Sequence, residues 1–258
     1  MTLIDSHCHL EMLDDPAWAV EQAREAGVET IVSIGIDAAS SRLAIGFAES
    51  LAGVHATVGL HPHDAGSLGD ALLGELEELA AHPRVVAVGE CGLDFYRDLS
   101  PRDAQRRAFS AQIELARRAG LPLVVHVREA GDEAMALLAD EAGDLAVVMH
   151  CFSLPQYVDE CNARGYYASF AGNVTYKNAP DLQAAARAVP AHMLLLETDA
   201  PWLTPMPLRG QPNRPGLVAD VYRFVAGLRK VGVDELAAQV EANAQAAFPR
   251  LAAALGSS

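Results

Sequence analysis

Short apolar runs alternate with longer amphipathic, Ala-rich segments along nearly the whole chain. Eight of the runs read as strands: Leu3–His7, Thr30–Ile34, Val54–Gly59, Val85–Gly89, Leu123–His126, Ala146–His150, Tyr167–Phe170 and Met193–Glu197. Most carry Val, Ile or Leu at successive positions, the mark of strands covered on both faces. The intervening pattern predicts helices over Asp15–Ala26, Ser40–Ser50, Leu72–Ala81, Arg102–Ala119, Ala130–Glu141, Pro155–Ala163, Pro180–Ala188 and Ala219–Val231, and a last one over Asp234–Ala254. Gly27 closes the first helix, and Gly120-Leu121-Pro122 stops the fourth.

A strand followed by a helix, about every 30 residues, is the pattern of an α/β chain closed into a (β/α)8 TIM barrel. The competing architecture is an open, doubly wound sheet. Its nucleotide-binding form is disfavoured because no Gly-rich phosphate loop follows the first strand. The length of 258 residues suits one barrel, so residues 1–255 are expected to form a single domain and 256–258, Gly-Ser-Ser, a flexible tail.

Composition narrows the function classes. With 51% hydrophobic and 21% charged residues the chain is globular. Its formal net charge of −15 argues against a protein that coats nucleic acid through an extended basic face, so any nucleic-acid chemistry needs a local source of positive charge. The four cysteines, Cys8, Cys91, Cys151 and Cys161, form no CxxC pair. No basic segment followed by an apolar run opens the chain, and no stretch of 18 apolar residues occurs. A cytoplasmic protein with reduced thiols, no membrane partner and a monomeric state is the expectation.

The strand ends carry the chemistry. The first ends Asp5-Ser6-His7-Cys8-His9, and residues i and i+2 of a strand share a face, so His7 and His9 point together into the barrel. The fourth ends at Glu90, the fifth at His126, the sixth at His150 and the eighth at Glu197-Thr198-Asp199. All meet at the C-terminal mouth, where barrel enzymes place their active sites. Four imidazoles and two carboxylates exceed the needs of one tetrahedral ion. They suit two divalent cations sharing a carboxylate: Glu90 as the bridge, His7, His9 and Asp199 on one side, His126 and His150 on the other. Such a pair acidifies water and polarises the bond under attack, and Asp199 is the candidate base. His61, just past the third strand, is a candidate donor to substrate; His63 reads as a loop residue. Arg128 and Lys177 are candidate phosphate-binding cations. Asp94, Tyr96, Asn173, Arg209 and Asn213 are weaker candidates on the rim. Alternation turns Cys8, Cys91 and Cys151 away from the ligands, so these, like Cys161, read as packing residues.

These segments resemble the TatD family of metal-dependent hydrolases, a branch of the amidohydrolase superfamily. The carrying residues are Ile4-Asp5-Ser6-His7-Cys8-His9-Leu10, Val58-Gly59-Leu60-His61-Pro62-His63, Gly89-Glu90-Cys91-Gly92-Leu93-Asp94-Phe95-Tyr96, His126-Val127-Arg128, His150-Cys151-Phe152-Ser153, Gly172-Asn173-Val174-Thr175-Tyr176-Lys177-Asn178 and Glu197-Thr198-Asp199-Ala200-Pro201-Trp202-Leu203. The resemblance runs from Ile4 to about Phe248. It implies a (β/α)8 fold, a two-metal centre on the same six residues, and nuclease activity that Mg can support. Val127 stands where family members often carry Ser, and Leu154-Pro155 replaces a Gly-containing turn.

Three functions follow in order. The first is a deoxyribonuclease, exonuclease-like, acting on DNA that is single-stranded or offers an end, with Mg, Mn or Zn as the ions. The second is hydrolysis of an ester or amide at the same centre, such as D-aminoacyl-tRNA deacylation. The third is a non-catalytic metal-binding protein, disfavoured because structural sites are closed and four-coordinate.

Overall fold

In the computed structural model, which describes residues 2–251, the apolar runs pair in chain order into one eight-stranded parallel sheet. The strands are β1 (Leu3–Cys8), β2 (Val28–Ser33), β3 (Val54–Val58), β4 (Val85–Asp94), β5 (Leu123–Arg128), β6 (Val147–Met149), β7 (Tyr167–Phe170) and β8 (Leu194–Leu196). A doubly wound sheet reverses its strand order at a switch point. This one never reverses, which removes the open-sheet alternative.

Closure between β8 and β1 is carried largely by groups beyond the regular ladder. Cys8 and Ala200 form an isolated parallel bridge. The His9 N–H donates to the Ala200 carbonyl at 2.9 Å and the Asp199 N–H to the His7 carbonyl at 3.0 Å. Side chains continue the seam. The Asp5 carboxylate accepts the Thr198 N–H at 2.8 Å and the Thr198 hydroxyl at 2.6 Å. The Ser6 hydroxyl donates to the Leu196 carbonyl at 3.1 Å. Burial pushes the Asp5 carboxyl up to about 8 despite its bonds to Thr198.

Helices pack around the sheet: α1 (Pro16–Glu25), α2 (Ala38–Ser50), α3 (Asp70–Ala80), α4 (Arg102–Ala119), α5 (Gly131–Glu141), α6 (Val158–Arg164), α7 (Pro180–Ala188), α8 (Val218–Arg229) and α9 (Val233–Ala247). Three differences from the predicted elements bear on the site. β4 runs on from Gly89 to Asp94, paired with β5 up to Asp94↔Arg128, which raises a two-strand wall above the mouth. β8 stops at Leu196, so Glu197 and Asp199 stand on a loop. Pro155–Tyr157 forms a 3-10 turn before α6 rather than α-helix, the Tyr157 N–H bonding back to the Leu154 carbonyl at 2.9 Å. Of the last predicted helix, residues 252–254 lie outside the described residues, as does the expected tail, 256–258.

A buried histidine also lies outside the site. His55, on β3, is 3% exposed, and burial, reinforced by the Arg84 charge, pushes its pKa from 6.5 down to about 4. Between those values the unfolded chain holds the extra proton. Stability is therefore present above pH 6.5 and lost as pH falls toward 4, by at most about 3 kcal/mol. Urea midpoints at pH 7.5 and 4.5 should show wild type losing more than His55→Gln; parallel losses would refute the assignment.

Candidate metal centre

The mouth is built where strands end and glycines let backbones meet. Glu90 stands between Gly89 (φ 143°) and Gly92 (φ 135°). A Cβ on Gly89 would sit 2.4 Å from the Val124 carbonyl oxygen, and one on Gly92 2.0 Å from that of His126. No other residue fits these positions, and the close approach of β4 to β5 lays Glu90 against His126. His7 lies near the end of β1 with His9 just past it, His150 follows β6, and Asp199 follows β8 with φ 54°.

The two Glu90 oxygens face different partners. Oε2 lies 3.4 Å from His7 Nε2 and 3.5 Å from His9 Nε2. Those two nitrogens are 3.2 Å apart, and Asp199 Oδ1 lies 3.9 and 3.6 Å from them. Oε1 lies 2.9 Å from His126 Nδ1, 3.2 Å from His150 Nε2 and 3.4 Å from His61 Nε2. Metal bonds of 2.0–2.1 Å in a tetrahedron imply donor–donor edges of roughly 3.3 Å. The donors around Oε2 have that spacing, and on the Oε1 side the atoms of His61, Glu90 and His126 cluster closely enough to share an ion, so the residues fit a divalent cation on either side of Glu90. His150 also shares a ligand cluster with His7 and Asp199, which places it nearer the first group than its position in the chain suggests.

Carboxylates stand behind three of the imidazoles. Glu197 Oε1 accepts from His150 Nδ1 at 3.0 Å and from the Cys151 N–H at 2.8 Å. Glu11 Oε1 lies 3.4 Å from His9 Nδ1. Asp94 Oδ2 lies 3.4 Å from His126 Nε2 and 2.9 Å from His63 Nε2. Such partners hold a ligating ring in one tautomer and orientation. His61 differs: its Nδ1 accepts the His63 N–H at 3.2 Å. Neutral His61 then carries its proton on Nε2, and burial pushes its pKa down to about 4. A protonated Nε2 donates toward Glu90 and does not ligate.

Electrostatics agree with a site made for cations. Burial opposes the charge on Glu90, yet the imidazoles of His150, His61 and His126 hold it well below the usual carboxylate range. Burial likewise opposes a charged His150, but Glu90 and Glu197 push it well above the histidine range. Burial lowers His7 to about 4 and raises Asp199 to about 6.

The six expected ligands and His61 all converge here. A cavity of about 600 Å³ opens over them, lined by all of these but the buried His7 and also by Arg97, Arg128, Asn173, Trp202 and Leu203. Arg128 lies on its wall with its guanidinium 3.9 Å over the Tyr96 ring. Lys177 is exposed and does not line the cavity. His63, expected as a plain loop residue, is held by Asp94. Asn213 ties the loop rather than meeting the cavity: its Nδ2 donates to the carbonyls of Thr198, at 2.9 Å, and Trp202. Cys8, Cys91 and Cys161 are buried core residues. Cys151 is not; it lines the cavity, because it lies past the end of β6 with φ 41° and strand alternation no longer applies. Glu197 and Glu11 stand outside the expected set of site residues. For Glu197 the chain carries a signal, since Glu197-x-Asp199 repeats the i, i+2 spacing of His7-x-His9.

Residues 4–249 match the family model described as TatD related DNase. A metal-dependent hydrolase of Bacillus subtilis, YabD, is 37% identical, the alignment covering 95% of this chain and 98% of that one. The 3'-5' ssDNA/RNA exonuclease TatD of Erwinia amylovora is 39% identical, over 89% of this chain and 92% of its own. The crystal structure of YJJV, a TatD homologue of Escherichia coli, superposes with a TM-score of 0.89 at 31% identity, covering 96% of this chain and 98% of that one.

Proposed function

The chain belongs to the TatD family of metal-dependent hydrolases, and on that premise we propose that it is a two-ion phosphodiesterase that shortens DNA from an end, with single strands as substrate. The divided Glu90 carboxylate carries the reading, one oxygen toward His7, His9 and Asp199 and the other toward His126 and His150. Divalent cations held by these residues supply Lewis acidity toward a phosphoryl oxygen and lower the pKa of water.

The chain's own groups do the rest. Asp199 takes the proton of the attacking water. His61 donates Nε2–H to an oxygen beside Glu90. Arg128 and Arg97, which line the cavity and have no acid within ion-pair reach among the described residues, grip the phosphate that follows. Lys177, outside the cavity, serves only a longer strand. The acidic body is no obstacle: two dications, with Arg97 and Arg128 on the cavity wall, offset the carboxylates of Glu90 and Asp199 and those of Glu11, Asp94 and Glu197 behind the imidazoles. The Erwinia relative's name supports the substrate class. The cavity is open above five of the six ligands, with His7 buried beneath, unlike a closed structural site.

Chelated protein should leave a 3'-labelled or 5'-labelled single strand intact, and added Mg or Mn should restore stepwise shortening. Metal analysis should give two ions per chain, nitrogen-rich ligation favouring Mn or Zn over Mg in affinity. Binding should depend weakly on salt, since few phosphates meet protein cations. One bound ion, or hydrolysis of an aminoacyl ester with no cleavage of DNA, would overturn the reading. No helix among the described residues is long and apolar enough to cross a membrane.

A further inference from the structure

Next to the metal cavity lies a smaller one of about 210 Å³, lined by Met12, Leu13, Trp18, Pro201, Pro212 and Arg214 with their neighbours. Met12 lines both. The ridge between them is short: Pro201 faces the small cavity and Trp202 the large one, immediately beyond Asp199 and Ala200. Resting on the nuclease reading above, we propose that the small cavity holds the nucleobase of a nucleotide adjoining the scissile phosphate, stacked on Trp18 and covered by Arg214.

Trp18 has no packing role that explains it. The buried face of α1 is Ala19, Val20 and Ala23, while the indole is 50% exposed. Its backbone is nonetheless rigid, because Pro16 starts the helix and the Asp15 carboxylate accepts the Trp18 N–H at 2.9 Å. A flat ring on a fixed helix end is a stacking platform, and every base offers it a π-face.

Arg214 completes the recess. Its guanidinium stands 5.6 Å from the Trp18 ring centre, whereas Arg128 and Arg209 lie 3.9 and 4.2 Å from Tyr96 and Tyr176. Arg214 is thus the most loosely seated of the three, and a base stacks on Trp18 once the guanidinium lifts from the ring. Among the described residues the Arg214 side chain makes no hydrogen bond or ion pair, so it is free to settle over a base. The wall is tied to the metal site through Asn213, which accepts the Arg214 N–H at 2.9 Å and donates to the Thr198 carbonyl.

Size and charge select the occupant. Sites for whole small molecules run to roughly 300–1,000 Å³, so about 210 Å³ suits a single base and not a nucleotide. Asp14 and Asp15 stand on the same wall and repel a phosphate, which keeps the backbone on the metal side.

The test uses metal-loaded protein and single-stranded oligonucleotides bearing one abasic residue at each of the first three positions from the cleaved end. In wild type, one position should raise KM by roughly 5- to 150-fold, the range that loss of a stacked base brings. Trp18→Ala should show that rise already on intact DNA, and the same abasic position should then cost nothing more. Trp18→Phe keeps a ring and should restore most of the KM and the abasic penalty, while melting temperatures report folding. An abasic penalty that persists in Trp18→Ala, or intact DNA cleaved by it with unchanged KM, overturns the base subsite alone. Wild-type protein that hydrolyses bis(4-nitrophenyl) phosphate but leaves every oligonucleotide whole overturns the nuclease reading, and the subsite with it.

Discussion

Glu90→Gln should lower kcat by roughly three orders of magnitude or more and leave the protein with less than its full complement of metal. The amide keeps the shape but replaces one anionic oxygen by an NH2 that cannot ligate. Whichever way it turns, one side loses its shared donor: His7 and His9 at 3.4 and 3.5 Å, or His126 and His150 at 2.9 and 3.2 Å. Charge stabilisation by a metal pair is worth several kcal/mol, and each 1.4 kcal/mol is about tenfold in rate. Glu90→Asp keeps the charge but draws the carboxylate back by one methylene from groups on three strands, so a loss nearly as large is expected. Metal content and kcat measured on the same samples check this. Two ions retained with activity within tenfold of wild type would show that Glu90 does not bridge.

The parts of this centre that could be read from the sequence are the ones fixed by period-two strands. His7 and His9 share a face of β1 whatever surrounds them. Glu90, His126 and His150 each close an apolar run, so membership of one parallel barrel suffices to bring them to one mouth. The groups that orient them were harder to see. Asp94 reaches His63 and His126 only because β4 continues through Gly92, where β4 and β5 touch too closely for a side chain. An apolar run ending at Gly89 gives no hint of that extension. Cys151 and Asp199 adopt positive φ past the ends of their strands, where alternation stops predicting direction. The same limit explains Lys177 and Asn213: both lie on loops past strand ends, yet one stands outside the cavity and the other spends its amide on loop carbonyls. The seam from β8 to β1 shows the reverse case. Asp5 was legible as part of a motif, but its role, a buried carboxyl bonded to Thr198, appears only once the barrel closes.

Asp199→Asn and Glu197→Gln should separate chemistry from metal retention at neighbouring positions of one loop. The amide that Asp199→Asn introduces still offers an oxygen where Asp199 Oδ1 faces His7 and His9, at 3.9 and 3.6 Å. It cannot accept a proton. A positioned base contributes about 10²- to 10⁴-fold, so kcat should fall by that much with metal largely kept, and excess metal should not restore it. Glu197 meets neither cavity nor substrate; it holds His150 through Nδ1 at 3.0 Å and the Cys151 N–H at 2.8 Å. Its amide variant weakens the grip on His150 and should cost roughly 10- to 100-fold in metal affinity, as loss of such supporting partners does. Activity of Glu197→Gln should therefore climb back toward wild type as metal is titrated in. The opposite pairing, Asp199→Asn rescued by metal and Glu197→Gln not, would overturn both assignments: Asp199 would be only a ligand, and Glu197 would do more than hold His150.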